Sequence, residues 1–452
     1  MSVEEVVDLC SMKWATRIWT VQEFYFAYKT VIVCGKSKVS ADIFFEWIRI
    51  VESTVRCVSH EQLCSIRDGR LRYASRRAGA LAYAYLEMGA SHQSSWAERG
   101  SHTWRSFFLQ ALGNAVRICQ INNCSDPRDK VYGIYSLLPG CINELPDINY
   151  RQDEFSLYED FTRATILISG TFWPAALPIS ADHNPNLPSW VPDFGLELDN
   201  DVLGESEASF PFHKTRIASF HSLNNSQNTV EILPAAKHGT FALKGELLAH
   251  IVEIDREWPE RGEEWVNCFI YWIKFFLDRY SESTGGGGIH TPPQAFFRLL
   301  FNNLLSDVDD EDDLDEEDDE EAKLAQAKRA FPSVLRWFLN RDQMLRHQAG
   351  LFARWRLQSQ VETVYDFLHL VCDQVGGSTL FQTNTGHFGN GFGKVKQHDA
   401  IALLTGCDFP VILRKDGENW RLIGRAIVFD VETGHAWRQR VQPSEMQTFV
   451  LV

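Results

Sequence analysis

The acidic segment Asp307–Glu321 constrains the fold of this 452-residue chain more than any other feature, because it holds thirteen carboxylates in fifteen residues. Like charges at this density repel one another, and the segment has almost no apolar side chains to bury, so it cannot form a packed element alone. We therefore predict an acidic disordered linker over residues of about 281–321. A second interpretation of the same charges, an electrostatic tether for a basic partner, stays open.

The remainder of the chain is nearly neutral. Without the thirteen carboxylates the formal net charge of −16 becomes −3, and no part of the sequence is a stripe of Lys and Arg. Nucleic acid is therefore not an expected partner, since backbone binding depends on neutralising phosphates. No run of eighteen apolar residues offers a membrane span, and the first residues lack the basic and then apolar order of a signal peptide. The sequence predicts a cytoplasmic protein that does not bind membranes.

The cysteines give no sign of a metal site. Ten are scattered along the chain with no Cys-x-x-Cys pair and no histidine at the spacing of a zinc ligand. We expect reduced, mostly structural thiols, no bound metal and no resident cofactor.

Hydrophobic periodicity and proline content divide the chain. A helix around Arg17–Glu23, a strand at Thr30–Cys34 and further helices are predicted before Trp173, after which prolines and short β-rich runs take over. Helical patterns then interrupt the strands. Five further strands are predicted at Leu380–Thr383, Ala400–Leu404, Phe409–Arg414, Trp420–Leu422 and Ala426–Asp430. We expect an α+β protein in which a mostly helical domain precedes an antiparallel β-barrel with a helical insertion. The predicted segments are 1–172 (helical domain), 173–260 and 377–452 (the two halves of the barrel) and 261–376 (the insertion).

Three local patterns carry further expectations. The spacing Ser156–Glu159 is that of a capping box at a helix start. The glycine-rich stretch Gly386–Gly393 lacks the Gly-Lys-Ser/Thr ending of a phosphate loop and precedes strand pattern, so we expect a turn between barrel strands. Trp258 lies in a polar stretch and is expected to tolerate replacement by alanine.

Four short strings occur in fixed order, and together they resemble a fungal heterokaryon-incompatibility (HET) domain protein. They are Arg-Ile-Trp-Thr-Val-Gln-Glu (17–23), Asp-Pro-Arg-Asp-Lys-Val-Tyr (126–132), Leu-Pro-Ser-Trp-Val-Pro-Asp-Phe (187–194), and Pro-Val-Ile-Leu-Arg (410–414) with Leu-Ile-Gly (422–424) after it. The first two are similar to the closing blocks of the HET domain, the third to the segment that follows it, and the fourth to the family's C-terminal barrel. The resemblance implies that the N-terminal domain is part of a TIR-like α/β fold.

The opening blocks of a HET domain, Tyr-x-Trp-Gly and Trp-Ile-Asp-x-x-Cys-Ile-Asn-Gln, do not occur before Arg17. By the resemblance, the chain then begins inside its HET domain and lacks the strands that would build a nucleotide pocket. We expect it to be inactive as an enzyme in this form.

The first string carries the candidate catalytic residues. Trp19 and Glu23 are four positions apart and share one face of the predicted helix, so an indole lies beside a carboxylate and can desolvate it. The string is also similar to the Trp-Cys-x-x-Glu segment of TIR domains, which implies that Glu23 is the catalytic carboxylate of an NAD glycohydrolase and that Trp19 walls its pocket. NAD would then be a substrate. The alternative is structural: Trp19 is core, and Arg17 and Glu23 form local pairs.

The remaining motif residues are expected to be structural. Asp126, Arg128 and Asp129 place charges around a predicted helix start, where Arg128 pairs with Asp126 or Glu23. Rigid prolines flank the large aromatic Trp190 in the third string, which also contains Asp193, and Arg414 ends the fourth. Asp399 is similar to the aspartate of a Gly-Asp pair that family members carry before the next strand, with His398 here in the glycine position.

The function implied by the resemblance is heterokaryon incompatibility, in which recognition of non-self leads to programmed cell death. Its partner would be another protein of the incompatibility system, and homo-oligomerisation stays open. Two alternatives remain at this point: a TIR-like NAD glycohydrolase that uses Glu23, and a non-catalytic binding scaffold or decayed remnant.

Overall fold

The chain forms two compact units in a computed structural model. The first comprises Met1–Trp173 with Asn184–Gly204, and the second comprises Pro174–His183 with Glu205–Val452. The structure describes residues 17–26, 30–46, 102–172, 184–195, 238–259, 262–284, 292–301, 325–338, 364–429 and 446–452, with gaps of one or two residues inside some of these ranges. The third string thus groups with the N-terminal unit, whereas the predicted boundary at residue 173 assigns it to the barrel.

The described part of the N-terminal unit contains helices and one hairpin. Its elements are α1 (Ile18–Phe26), β1 (Val31–Cys34), β2 (Ser37–Ser40), α2 (His102–Ile121), α3 (Asp129–Tyr132) and α4 (Glu154–Ser169). The two strands pair antiparallel with Cys34 opposite Ser37. The helix predicted around the first string and the strand predicted before Gly35 are confirmed.

Helices α2 and α4 form because each has an apolar face to bury. Along α2 the side chains of Trp104, Phe108, Leu112 and Ala115 are buried, as their helical spacing predicts. The start of α4 differs from the prediction: Asp153 is the N-cap, and its carboxylate accepts a hydrogen bond from the backbone N–H of Ser156 at 2.9 Å. The predicted capping box at Ser156–Glu159 is therefore wrong, because an aspartate three residues earlier already satisfies that amide.

The second unit is built on a seven-stranded sheet. Its strands are β3 (Phe241–Glu257), β4 (Ser378–Thr383), β5 (Phe388–Phe392), β6 (Ala400–Leu404), β7 (Val411–Asp416), β8 (Asn419–Phe429) and β9 (Gln447–Leu451). The order is β4-β5-β8-β7-β6-β3-β9, with additional pairings of β3 with β4 and β8 with β9. All of these neighbours are antiparallel except β8 and β9, which share a single parallel pair, Trp420 and Leu451.

The sheet is not the clean barrel that the sequence suggested. The long strand β3 pairs with β9 and β6 along its first part and with β4 from Ile251 onward, and its register shifts at Leu247/Ala249, Ile251/Glu253 and Ile254/Glu257. Such irregularities bend a strand and let it change partners. The fold class α+β, with helices and a large antiparallel sheet, is confirmed.

The glycine-rich stretch Gly386–Gly393 is mostly a strand and not a turn. Phe388–Phe392 form β5, and the turn lies just before it. A Cβ atom at Gly389 would lie 2.5 Å from the backbone carbonyl oxygen of Ile427, and one at Gly391 would lie 2.6 Å from the Ile412 side chain. The prediction failed because these glycines permit close packing within a sheet, not chain reversal.

Two helices of the predicted insertion pack on one face of this sheet. They are α5 (Gly262–Thr284) and α6 (Pro292–Leu300), and their apolar side chains share one core with Leu380, Phe388 and Phe429 of the strands. The insertion therefore belongs to the same packed unit as the sheet. Trp258 is completely buried in this core, 5.1 Å from the ring of Trp272, so the expectation that it tolerates replacement is wrong.

Other expectations have partial outcomes. The six cysteines whose side chains are described are all free thiols. Among the described helices, none is long and apolar enough to cross a membrane. The predicted linker at 281–321 lies largely outside the described residues; its first four residues belong to α5, which ends at Thr284, and residues 292–301 form α6 and the turn after it.

Candidate functional site

The first two strings lie against each other in the N-terminal unit. Arg17 forms a parallel β-bridge with Asn123, and the backbone N–H of Ile18 donates to the carbonyl of Asn123 at 3.2 Å. Gln22 donates through Nε2 to the carbonyl of Gly133 at 2.7 Å. A Cβ atom at Gly133 would lie 3.0 Å from the Ile18 side chain, so a glycine after the second string permits this approach.

Arg128 of the second string donates hydrogen bonds to a carboxylate and to two backbone carbonyls. Its Nε and Nη2 atoms donate to the two carboxylate oxygens of Asp126 at 2.8 and 2.7 Å, and Nη1 donates to the carbonyls of Tyr150 and Gln152. The hydrogen bond from Arg128 lowers the pKa of the Asp126 carboxyl. Of the two partners predicted for Arg128, the structure shows Asp126 and not Glu23. The bidentate pair with Asp126 orients the guanidinium, and the bonds from Nη1 join the start of α3 to the segment before α4.

Asp129 has a different partner, one that the sequence analysis missed. The hydroxyl of Tyr150 donates to the Asp129 carboxylate at 2.6 Å, and the Tyr150 ring centroid lies 5.4 Å from the guanidinium carbon of Arg128. Desolvation and the hydrogen bond to Asp129 raise the pKa of Tyr150 to about 12. Tyr150 lies outside every string, so no pattern in the sequence marked it.

Lys130, in the centre of the second string, is a buried cation. Its side chain is 3% exposed, and its ammonium donates to the carbonyls of Cys119 at 2.7 Å and Asn122 at 2.6 Å. These carbonyls lie at the C-terminal end of α2, where backbone acceptors lack helical partners and a positive charge is favourable. Burial raises the pKa of the Cys119 thiol, which donates to the carbonyl of Lys130 at 2.7 Å. Lys130 therefore holds the second string to the end of α2.

The third string packs on α4. Trp190 is 1% exposed, with the guanidinium carbon of Arg163 5.0 Å from its ring centroid. Phe194 packs edge-on against Tyr158 at 5.2 Å, and the Tyr158 hydroxyl donates to the carbonyl of Pro127 at 2.8 Å. Tyr158 therefore contacts both the second and the third string, and the third string packs within the N-terminal unit.

Asp193, also in the third string, shapes the local turn. Its Oδ1 atom accepts a hydrogen bond from the backbone N–H of Gly195 at 2.9 Å. This is the side-chain-to-backbone contact that aspartate commonly makes in turns. Asp193 is therefore used within its own segment.

The candidate catalytic residues lie on α1 but not in a desolvated setting. Ile18 and Val21 form the buried side of the helix, whereas Glu23 and Arg17 are exposed and Trp19 is half-buried. An exposed carboxylate keeps its hydration, so the predicted desolvation of Glu23 by the indole is not seen in this structure. The shared helical face of positions 19 and 23 remains, because both belong to one continuous helix.

The fourth string contributes an ion pair to the second unit. Arg414 donates from Nε to Oδ1 and from Nη2 to Oδ2 of Asp399, both at 2.8 Å, and from Nη2 to the carbonyl of Lys394 at 2.6 Å. Asp399 is 2% exposed and also accepts from the backbone N–H of Lys396 at 2.7 Å. Among the described residues, His398 is the one non-glycine residue with a positive φ, at 73°. Position 398 thus adopts a glycine-like conformation in a turn before β6.

Neither a metal-binding cluster among the described residues nor a related protein indicates a chemical role for these residues. In the described ranges, no group of three or more His, Cys, Asp or Glu side chains is arranged to hold a metal ion. Comparisons of the chain with models of protein families, with curated proteins and with solved structures give no match.

Proposed function

We propose that this chain is a HET-type incompatibility protein, in which the N-terminal unit acts as the effector of programmed cell death. The observation that carries the proposal is the convergence of the three N-terminal strings. They are separated by about a hundred and then more than fifty residues, yet Gln22 reaches Gly133 and Tyr158 links Pro127 to Phe194. Unrelated matches to family blocks would have no reason to share one packed unit.

The same contacts define what the strings do. Asp126, Arg128 and Lys130 direct their charged groups to one another and to backbone carbonyls, so they stabilise the unit from within. Of the motif side chains on α1, Glu23 is exposed and Trp19 and Gln22 are half-buried. An accessible aromatic beside a carboxylate suits contact with a protein partner better than chemistry that must exclude water. The proposal includes a TIR-like relationship for this unit and a barrel-type relationship for the sheet of the second.

An NAD glycohydrolase that uses Glu23 is the second candidate. The observation that favours it is that Glu23 is reachable from solvent and lies one helical turn from Trp19, so a ring could stack beside the carboxylate. Under this candidate Glu23 would stabilise the oxocarbenium-like ribosyl group as nicotinamide leaves.

Regulated expression in a filamentous fungus tests the proposal. The full chain is expected to reduce colony-forming units after induction. Trp190→Ala, which removes a buried anchor of the effector unit, is expected to lose the effect, whereas Arg421→Met, an exposed change in the other unit, is expected to keep it. Normal growth at an equal level of folded wild-type protein would contradict the proposal.

A further inference from the structure

Arg425 is a buried cation in the middle of the sheet. It lies on β8, opposite Val411 of β7, and is 8% exposed. The neighbouring residue Ala426 donates its backbone N–H to the carbonyl of Pro410 at 2.8 Å, which fixes the strand on this side. The guanidinium carbon of Arg425 lies 4.1 Å from the centroid of the Phe392 ring. One face of the guanidinium is therefore covered by an aromatic ring.

Arg425 has no acidic or hydrogen-bonding partner among the residues that the structure describes. The other two arginines of β7 and β8 both have one: Arg414 pairs with Asp399 and Arg421 with Asp416. Burial alone lowers the pKa of Arg425 to about 10, with no charged group contributing. A guanidinium stays protonated at neutral pH, so a positive charge is held here without a counter-charge from any described residue.

A second polar side chain with unmet hydrogen bonds lies on the same face of the sheet. Asn390 of β5 is fully buried and stands opposite Ile427, two residues from Arg425, so the two residues are diagonal neighbours across the β5–β8 pair. Among the described residues, the Oδ1 atom of Asn390 has no hydrogen-bond partner, and its Nδ2 atom donates over a long 3.4 Å to the carbonyl of Leu299. Buried amides normally satisfy both groups.

We propose that Arg425 and Asn390 form a binding site for an oxyanion group, either a carboxylate or a phosphate, carried by a small ligand. The guanidinium presents planar N–H donors along its edge, the geometry that such groups accept in a bidentate manner. Because the Phe392 ring covers one face of the guanidinium, we infer that the ligand binds along the N–H edge. The Nδ2 amide of Asn390 has two N–H groups and makes one long hydrogen bond, so it supplies a second, neutral donor to the anion. An anion also provides the counter-charge that a water molecule would not.

Thermal unfolding of the full chain at constant ionic strength tests the site. The probes are inorganic phosphate and acetate, each titrated against sodium chloride as the reference anion. Because a ligand of the folded state stabilises by mass action, phosphate or acetate is expected to raise the Tm by about 5 °C at one hundred times its Kd. Stabilisation by phosphate would identify a phosphate-bearing ligand, and stabilisation by acetate would identify a carboxylate.

Two variants assign the effect to the site. Arg425→Met is expected to abolish the anion-dependent rise and, without anion, to melt no lower than the wild type, since it removes an uncompensated buried charge. Arg421→Met is the matched control on the same strand; its side chain is 58% exposed and the rise should be unchanged. Asn390→Ala is expected to reduce the rise.

A measurement on the wild-type chain covers the case in which Arg425→Met does not fold. Modification by phenylglyoxal, mapped by mass spectrometry, should be slower at Arg425 when the stabilising anion is present, with the rate at Arg421 unchanged. The proposal is overturned if neither phosphate nor acetate raises the Tm above the chloride reference, if Arg425→Met retains the full rise, or if neither anion protects Arg425.

Discussion

The ion pair between Arg414 and Asp399 gives the sharpest stability prediction. Replacing Arg414 by Met removes two charged hydrogen bonds from a buried carboxylate, which keeps one from the backbone N–H of Lys396. Hydrogen bonds to charged groups contribute roughly 1.5–3 kcal/mol each, and removing one partner of a buried pair typically costs roughly 3–5 kcal/mol. We expect Arg414→Met to lower the free energy of unfolding of the second unit by about 3–5 kcal/mol.

The chain contains a control for this prediction in Arg421, which lies opposite Arg414 on the neighbouring strand β8. Arg421 and Asp416 make a contact of nearly the same length, 2.7 Å against 2.8 Å, but their side chains are 58% and 49% exposed. Exposed pairs contribute about 0–1 kcal/mol, so Arg421→Met should change stability little. Arg414 makes two hydrogen bonds to Asp399 and Arg421 makes one to Asp416, so the difference between the two variants measures burial together with the second hydrogen bond.

Urea denaturation followed by circular dichroism measures both variants. A double variant, Arg414→Met with Asp399→Asn, tests whether the cost comes from leaving the Asp399 carboxylate unpaired. A neutral amide is less costly to leave in the core than an unpaired carboxylate. The double variant is therefore expected to be more stable than Arg414→Met alone. Equal destabilisation by Arg414→Met and Arg421→Met, or a double variant less stable than Arg414→Met, would refute the reasoning.

Two further predictions concern the packing of each unit. Trp258→Ala and Trp190→Ala should each cost roughly 3–5 kcal/mol, because both side chains are buried; a shift in the urea midpoint no larger than that of Arg421→Met would contradict their core positions. Asp153→Ala should cost about 1 kcal/mol by loss of the α4 cap, and Ser156→Ala less, since the backbone N–H remains. The hydrogen bonds from Ser156 lower the pKa of Asp153, so its contribution is present above the ordinary value of 3.8 and is lost as pH falls through the lowered pKa. An effect of Asp153→Ala that is as large at pH 2 as at pH 7 would exclude this origin.

Local patterns predicted the elements better than their connections. The helical spacing in α2, the strand at Ala400–Leu404 and the strand before Arg414 follow directly from side-chain periodicity, because each buries one face or both against its neighbours. The prediction of a barrel was less accurate. The observed sheet depends on β3 pairing with strands more than a hundred residues away and changing partners at its register shifts, and nothing within β3 encodes those partners.

For the site residues as well, contacts within one string could be predicted and contacts between separate segments could not. The pairing of Arg128 with Asp126 could be predicted, since both lie within one short string. The partners of Asp129 and Lys130, namely Tyr150 and the end of α2, could not, because they depend on packing between separate segments. Arg425 gave no signal at all: an arginine in a strand is ordinarily exposed, and its burial appears only once β5 places Phe392 beside it.

Viability and NAD, measured together after induction of the chain in fungal cells, test the central claim most directly. The claim is that the strings build an effector whose accessible surface, and not a catalytic Glu23, acts on the cell. We expect colony-forming units to fall while cellular NAD stays constant, and Glu23→Gln to kill as well as the wild type, because Glu23 is exposed and keeps its hydration. A fall in NAD that precedes death and disappears with Glu23→Gln would contradict the account and establish the glycohydrolase.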